Sequence, residues 1–371
     1  MTHGWRMVSI RDIAQTFDGP HATPRSSKSS LSDGPIFLGI SSLDNGRIDL
    51  TQSPRISETD YAHWTRRVTP QPGDVVFSYE TRLGEAAIVP DGVRCCLGRR
   101  MALMRPDEDL VDPRFLLYSY LGPEFQEVIR KQTVQGSTVD RVMLTDFPNF
   151  PMKLPPLEQQ RAIAATLGAL DDKIESNRHL AATIWAFLAA EYDRLAVQAP
   201  IATLGSVLQL AYGKSLPANV RRPGPVPVLG SNGITGWHDE ALIDGPAIVV
   251  GRKGSVGEIY WSHDKCWPID TTFHVQTLDG LPLLAAYFAL QQAGLKTMNS
   301  DSAIPGLNRE AALSVSLPVP IESSREWAAS RAKLVDLAIQ RDQESSKLVL
   351  IRDTLLPELL SGRIQAGVTV R

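Results

Sequence analysis

Between residues 154 and 195 the apolar positions advance in steps of four and three. Ile163, Leu167, Leu170, Ile174, Asn177, Ala181, Ile184 and Leu188 mark the stripe, and of these only Asn177 is polar. Such a step is the heptad seam of a coiled coil, and it predicts one long helix over Leu157 to Leu195. The stretch LPPLEQQRAIAATLGALDDKIESNRHLAATIWAFLAAEYDRL (Leu154 to Leu195) aligns without a gap with VPIESSREWAASRAKLVDLAIQRDQESSKLVLIRDTLLPELL (Val319 to Leu360). The matching positions are Ala328, Ala332, Val335, Ile339, Asp342, Ser346, Val349 and Asp353, so the second copy is expected to keep the period with a weaker seam. A helix of about forty residues runs about 60 Å at 1.5 Å per residue, too long for the core of one compact domain. Both copies read as rods that hold other parts of the chain.

The segments ahead of the rods repeat more loosely. VSIRDIAQTFDG (Val8 to Gly19) opens the first and ATLGSVLQLAYG (Ala202 to Gly213) the second. Further on, GDVVFSYETRLGEAAIV (Gly73 to Val89) is matched by GPAIVVGRKGSVGEIYW (Gly245 to Trp261): an apolar β-prone run, a polar loop with basic residues, then Gly-Glu leading into a second strand. Loops GSTVDRVML (Gly136 to Leu144) and DSAIPGLNR (Asp301 to Arg309) follow, each before a Pro-marked strand. The reading is an α+β chain built by tandem duplication: a globular unit over 1–154, a helix over 155–197, a second globular unit over 198–320, and a second helix with a C-terminal tail over 321–371.

Composition narrows the function classes. With 371 residues, 43% hydrophobic and 21% charged, the chain is long enough for two or three cores and ordinary for a soluble protein. No apolar run reaches the roughly 18 residues of a membrane span and the start has no signal-peptide core, so a cytoplasmic protein without membrane contact is expected. A net charge of −3 argues against a protein that coats DNA nonspecifically, since phosphate neutralisation supplies most of that affinity. A sequence reader instead concentrates cations in loops, and Arg66–Arg67, Arg99–Arg100, Arg130–Lys131, Arg221–Arg222 and Arg252–Lys253 are the doublets available. Catalytic patterns are missing. Gly251 to Gly257 (GRKGSVG) lacks the Gly-Lys-Ser/Thr ending of a P-loop, and reads equally as a β-turn or a DNA-contacting loop. GxSxG, HExxH and CxxC do not occur, the histidines have no metal spacing, and the Asn/Asp-Pro-Pro-aromatic tetrapeptide of base-flipping methyltransferases is lacking. Asp171 and Asp172 read as a solvated helix face, and the three cysteines as buried thiols. The chain is expected to bind no metal or cofactor and to catalyse nothing by itself.

Two segments carry a resemblance. LPPLEQQRAIAATLGALDDKIESNR (Leu154 to Arg178) and LIRDTLLPELLSGRI (Leu350 to Ile364), with two globular units each entering a rod, closely resemble the specificity subunits of type I restriction-modification systems. The resemblance covers essentially the whole chain. It implies two target-recognition domains, each reading one half of an interrupted site in double-stranded DNA, and two helices paired as an antiparallel coiled coil. It further implies docking of modification (methyltransferase) subunits, which would carry S-adenosylmethionine, and of a restriction (endonuclease) subunit. This chain departs from the pattern at VPIESSREWAA, which lacks the proline pair and Glu-Gln-Gln, and in its shorter second globular unit. Competing readings are a helical scaffold without DNA binding and a fused methyltransferase. The loops present in both units speak against the first, and the missing motifs against the second.

Base readout needs directional donors and acceptors. The candidates are Tyr79 and Arg82 in the first unit and Asn232, Arg252, Lys253 and Ser255 in the second, while Gly136, Ser137 and Thr138, with Ser302 opposite in the repeat, are expected to approach the backbone closely. Partner docking is expected along Trp185 and Tyr192, with Leu350 and Leu355 on the other rod. In an antiparallel pair two midpoints meet, so Asn177 and Asp342 are expected to face each other as a polar layer that fixes register. B-DNA repeats its groove about every 34 to 36 Å, a distance that rods of this length can set.

Overall fold

A computed structural model describes residues 4–25, 33–50, 53–136, 139–298 and 306–367. The chain forms two compact units, one of 1–175 with 346–371 and the other of 176–345. Each therefore combines one globular segment with a stretch of both rods.

In the first unit, strand Arg6–Ser9 pairs with Pro151–Leu154, closing the globular segment just before the first rod. An antiparallel sheet follows in the order Ala14–Asp18, Met101–Pro106, Val75–Ser78, Ala86–Ile88. The central strand Val75–Ser78 is buried on both faces, which is why it reads as a continuous apolar run. Phe77 packs with Phe115 and Phe147, while Val76 packs with Leu38 and Leu97 of the parallel pair Ile36–Leu38 and Cys95–Leu97. Helix Pro113–Leu121 begins where Asp112 accepts a hydrogen bond from the Phe115 amide, with proline in its first turn.

The second unit repeats this plan. Ile201–Thr203 pairs with Ser316–Pro318, so Ala202 opposite Leu317 reproduces Val8 opposite Met152. Its main sheet runs Leu208–Tyr212, Thr272–Thr277, Ala247–Gly251, Ile259–Ser262, the same order with the same antiparallel senses. A parallel pair, Val226–Gly230 with Trp267–Pro268, recurs as well and gains the strand Gly233–His238.

The rods are single helices of 40 residues each, Leu157–Ala196 and Ile321–Leu360. Gln160, from the Glu-Gln-Gln-Arg entry, explains that motif physically. It is 1% exposed and donates to the carbonyls of Leu110 and Pro155 while accepting from the Asp112 amide, tying the rod to the helix cap beside it. At the matching position Arg325 donates to the carbonyls of Asp279 and Gly280, so the altered entry performs a similar tie with a longer side chain.

The predicted seam of the first rod is buried at every position except Leu170, which is half-buried. The second seam follows the prediction at Val335 and Ile339, which are buried, and at Ala328 and Val349, which are half-buried, and is displaced by one residue at the other four positions. Ala332, Asp342, Ser346 and Asp353 are exposed, whereas their neighbours Arg331, Arg341, Ser345 and Arg352 turn inward. Inward arginines escape an apolar count because their charges are answered, those of Arg331 and Arg352 by the other rod and that of Arg341 by Glu344 on its own. In the second unit Glu191, 8% exposed, takes a bidentate pair from Arg331 at 2.7 Å on both oxygens and a hydrogen bond from Trp327 Nε1. In the first, Asp171 accepts from Arg352 at 2.9 Å and from the Tyr118 hydroxyl at 2.6 Å, so it is a structural anchor and not a solvated face. The polar layer needs correction too. Asn177 donates to Glu344 at 3.0 Å, and Arg341 donates to the same oxygen at 2.6 Å, while Asp342 lies exposed. From Asn177–Glu344 to Glu191–Arg331 the first-rod numbers rise as the second-rod numbers fall, which makes the pair antiparallel.

Two outcomes follow for chemical denaturation. Glu344→Leu, which removes the acceptor of both Asn177 and Arg341, should cost about 1 to 2 kcal/mol, and Asn177→Leu, which leaves Glu344 on Arg341, about 1 kcal/mol or less; the reverse order would remove Glu344 from the centre of the layer. The hydrogen bonds from Arg331, ahead of those from Trp327, hold the Glu191 carboxyl below its ordinary value of 4.5. A depressed carboxyl stabilises the fold above its unfolded value, and that contribution is lost as pH falls from about 4.5 through the folded value. Glu191→Gln should flatten this part of the melting-temperature profile; an identical acid profile would exclude Glu191 as its source.

Candidate nucleic-acid interface

At one end of the second unit's main sheet, four of the five residues singled out in the sequence come together. The Gly251 amide donates to the Glu258 carbonyl at 2.7 Å and the Gly257 amide to Gly251 at 2.8 Å, making GRKGSVG a closed hairpin tip. Gly257 has φ +72°, and a Cβ there would sit 2.4 Å from the Leu295 carbonyl carbon, so glycine is required by both conformation and space. Arg252 is fixed from several sides: Nη1 donates to the Asp270 carbonyl at 2.9 Å, and the guanidinium lies 4.9 Å from the Tyr212 ring and 5.8 Å from Phe273. Arg309 stacks on Tyr212 as well, at 5.5 Å. Ser255 hydrogen-bonds Asn232 and Tyr260 donates to the Ser231 carbonyl, which binds the turn before Gly233–His238 to the hairpin tip. Lys253 is exposed beside them. Ser302 lies outside the described residues.

The first unit builds its tip with the same backbone bonds. Ser78 N–H to Glu85 answers Gly251 to Glu258; Tyr79 N–H to Arg100 answers Arg252 to Thr271; and Val142 N–H to Tyr79 answers Leu307 to Arg252. These bonds make Tyr79 the counterpart of Arg252. Tyr79 is 7% exposed and packed in the core, its hydroxyl 3.5 Å from His21 Nδ1. Burial, then the charge of Asp18, pushes its phenol well above the ordinary range. The expectation of a base-reading Tyr79 is therefore corrected: following an inward strand, the ring turns into the apolar layer. Arg82 stays at the tip, donating to the Ile40 carbonyl at 3.1 Å and to Glu85 at 3.0 Å. This is the analogue of Ser255 on Asn232. Ser137 and Thr138 lie outside the described residues.

Sequence reasoning missed Tyr212 and Arg309 at these tips, and named Arg100 only as half of one of five basic doublets. Tyr212 was visible as the residue before Gly213 at the end of a repeated opening segment. Arg309 and Arg100 reach the tips only through the fold.

The docking stripe is corrected in part. Tyr192 is fully buried, with ring centroids 5.6 Å from Phe288 and 6.0 Å from Trp327, and Trp185 packs on Tyr287 and Trp261. Both serve the core of the second unit, because its globular segment covers that side of the rod. Leu355 is half-buried against the first unit's core, and Leu350 remains 69% exposed. Cys95 and Cys96 are buried, which pushes each thiol up to about 12 and keeps them unreactive. Among the described residues no three His, Cys, Asp or Glu side chains gather as a metal site, and no helix is long and apolar enough to cross a membrane.

Comparison with known proteins bears on both halves of the chain. Residues 2–185 match the family described as type I restriction modification DNA specificity domain. The chain is 32% identical over 107 residues to the putative type I restriction enzyme MjaX specificity subunit of Methanocaldococcus jannaschii, a match covering 28% of this chain and 24% of that relative. It thus spans about a quarter of the curated relative's length. In fold, the chain is similar to the crystal structure of the type I restriction-modification system S subunit from M. genitalium, with a TM-score of 0.65 at 19% identity over 96% of each chain. Through residues 2–185, the chain belongs to the family of type I restriction modification DNA specificity domains.

Proposed function

We propose that this chain is the sequence-specific DNA-binding subunit of a type I restriction-modification complex, each unit reading one half of an interrupted duplex site. The observation that carries the reading is the sheet-end tip built twice by the same backbone bonds, in a chain whose first copy lies within a DNA specificity domain. Directional groups gather at both tips: Asn232, Arg252, Lys253 and Ser255 in the second unit, Arg82 and Arg100 in the first. The rods fix the gap between the halves and offer exposed apolar side chains such as Leu350 to modification subunits. S-adenosylmethionine and the methyl-transfer chemistry belong to those partners, and cleavage to a restriction subunit. Work in the cytoplasm suits this role.

The purified chain is expected to methylate no duplex by itself, and to support methylation only with a modification subunit and S-adenosylmethionine present. Methyl transfer by the chain alone would contradict the noncatalytic reading. Arg252→Ala should relax or abolish preference in one half-site while leaving the other half intact, at a cost of about 1 to 3 kcal/mol for a bidentate base contact. Methylation profiling across degenerate sites checks this. Equal weakening on every sequence would make Arg252 a phosphate contact, and an unchanged profile would remove the hairpin from the interface.

A further inference from the structure

The two sheet ends share a backbone but exchange their charges between neighbouring loops. In the second unit the cations Arg252 and Lys253 stand on the hairpin, and Asp270 and Thr271 on the adjoining turn. By the matched hydrogen bonds, the corresponding hairpin residues in the first unit are Tyr79 and Glu80, and the turn residues are Arg99 and Arg100. Glu80 thus stands where the second unit has Lys253, and Arg99 where it has Asp270. Each tip keeps an adjacent pair of cations, moved in the first unit from hairpin to turn.

The moved pair is held in an unusual way. Thr81 and Arg100 are non-glycine residues in the left-handed region, with φ of 71° and 72°. The second unit uses Gly254, φ +81°, where the first has Thr81. A side chain at such a φ meets its own backbone, so two of them in contact are kept only where the surrounding structure enforces them. Arg100 Nη1 donates to Thr81 Oγ1 at 3.1 Å, and Arg100 Nε lies 2.9 Å from Glu80 Oε2. The Thr81 hydroxyl directs the guanidinium by a hydrogen bond, the Glu80 carboxylate holds it by charge without a hydrogen bond to Nε, and the donors of Nη2 and one of Nη1 stay uncommitted to them.

We propose that Arg100 is the guanine-reading residue of the first unit, aimed by Glu80 and Thr81 and doing there what Arg252 does in the second. This rests on the DNA-reading function proposed above. A phosphate contact needs only a cation within reach, whereas a guanidinium fixed by a carboxylate and a hydroxyl presents a fork of set direction, which suits guanine O6 and N7. Arg99, exposed beside it, supplies backbone attraction.

The test is selection of bound sequences from a randomised duplex library by the full chain, the Arg100→Asn, Arg100→Lys and Thr81→Gly variants, and Arg252→Ala as reference. Asparagine tolerates the left-handed backbone, so Arg100→Asn removes the guanidinium without new strain. It should lower preference for one guanine by about ten- to a hundredfold, in the half-site that Arg252→Ala leaves unchanged. Arg100→Lys, which keeps the charge but not the fork, should lose the same guanine. Thr81→Gly should blunt that preference without lowering the melting temperature. Uniform weakening on all sequences, an unaltered selection, or a change in the same half as Arg252→Ala would each overturn the assignment. A wild-type chain that selects no sequence at all would overturn the DNA-reading function itself, and this assignment with it. Should Arg100→Asn melt early, Arg100→Lys decides.

Discussion

Antiparallel pairing of the rods is the constraint on which the rest depends. Because each compact unit takes a stretch of both helices, neither core is complete from one copy of the duplication. The first unit is closed by Leu359 and Leu360 at the far end of the second rod, together with Ile163 and Leu167 of the first. The second unit draws Ala181, Ile184, Leu188 and Tyr192 from the first rod and Trp327, Val335 and Ala338 from the second. Apolar contact alone would tolerate sliding by a heptad. Charged and amide groups that must meet specific partners do not, and the ties Asp171–Arg352, Asn177–Glu344 and Glu191–Arg331 are of this kind. Removing one partner from such a tie leaves a buried or half-buried polar group unanswered, which penalises every wrong register.

The first rod and the duplication were legible because they are written in apolar periodicity. The second rod misled by one residue at four of its eight seam positions for the opposite reason: its inward positions include Arg331, Arg341, Ser345 and Arg352, which no apolar count selects. Matching the midpoints of the rods set Asp342 opposite Asn177, two residues short of Glu344, which is the residue that meets it. At the tips, laying GDVVFSYETRLGEAAIV directly over GPAIVVGRKGSVGEIYW sets Tyr79 against Gly251, whereas the backbone bonds set it against Arg252. Tyr79 was read as a reader because it stands where the apolar run meets the polar loop, yet its ring is 7% exposed and packed in the core. Trp185 and Tyr192 were misplaced because a stripe beside a seam can be covered by the chain's own sheet domain as well as by a partner. The sequence pattern carries no term for that choice.

Charge placement reconciles an acidic chain with DNA recognition. The total is −3, yet cations are set at both sheet ends, where Arg252 and Arg309 share the Tyr212 ring and Arg100 is steered by Glu80. Stacking and ion pairing hold these groups in fixed directions, which favours discrimination between bases over general attraction to phosphate. In the proposed function a low net charge limits binding to random DNA, and directed donors then decide where the chain stays.

The measurement that tests the account most directly is the gap between half-sites after a matched deletion of seven residues from each rod, chosen so that the polar ties stay opposite one another. Seven residues shorten a helix by about 10 Å, or about three base pairs at 3.4 Å each. Both half-site sequences should persist while the gap between them contracts by about three base pairs. An unchanged gap would contradict this, as would loss of either half-site sequence in a chain that still folds.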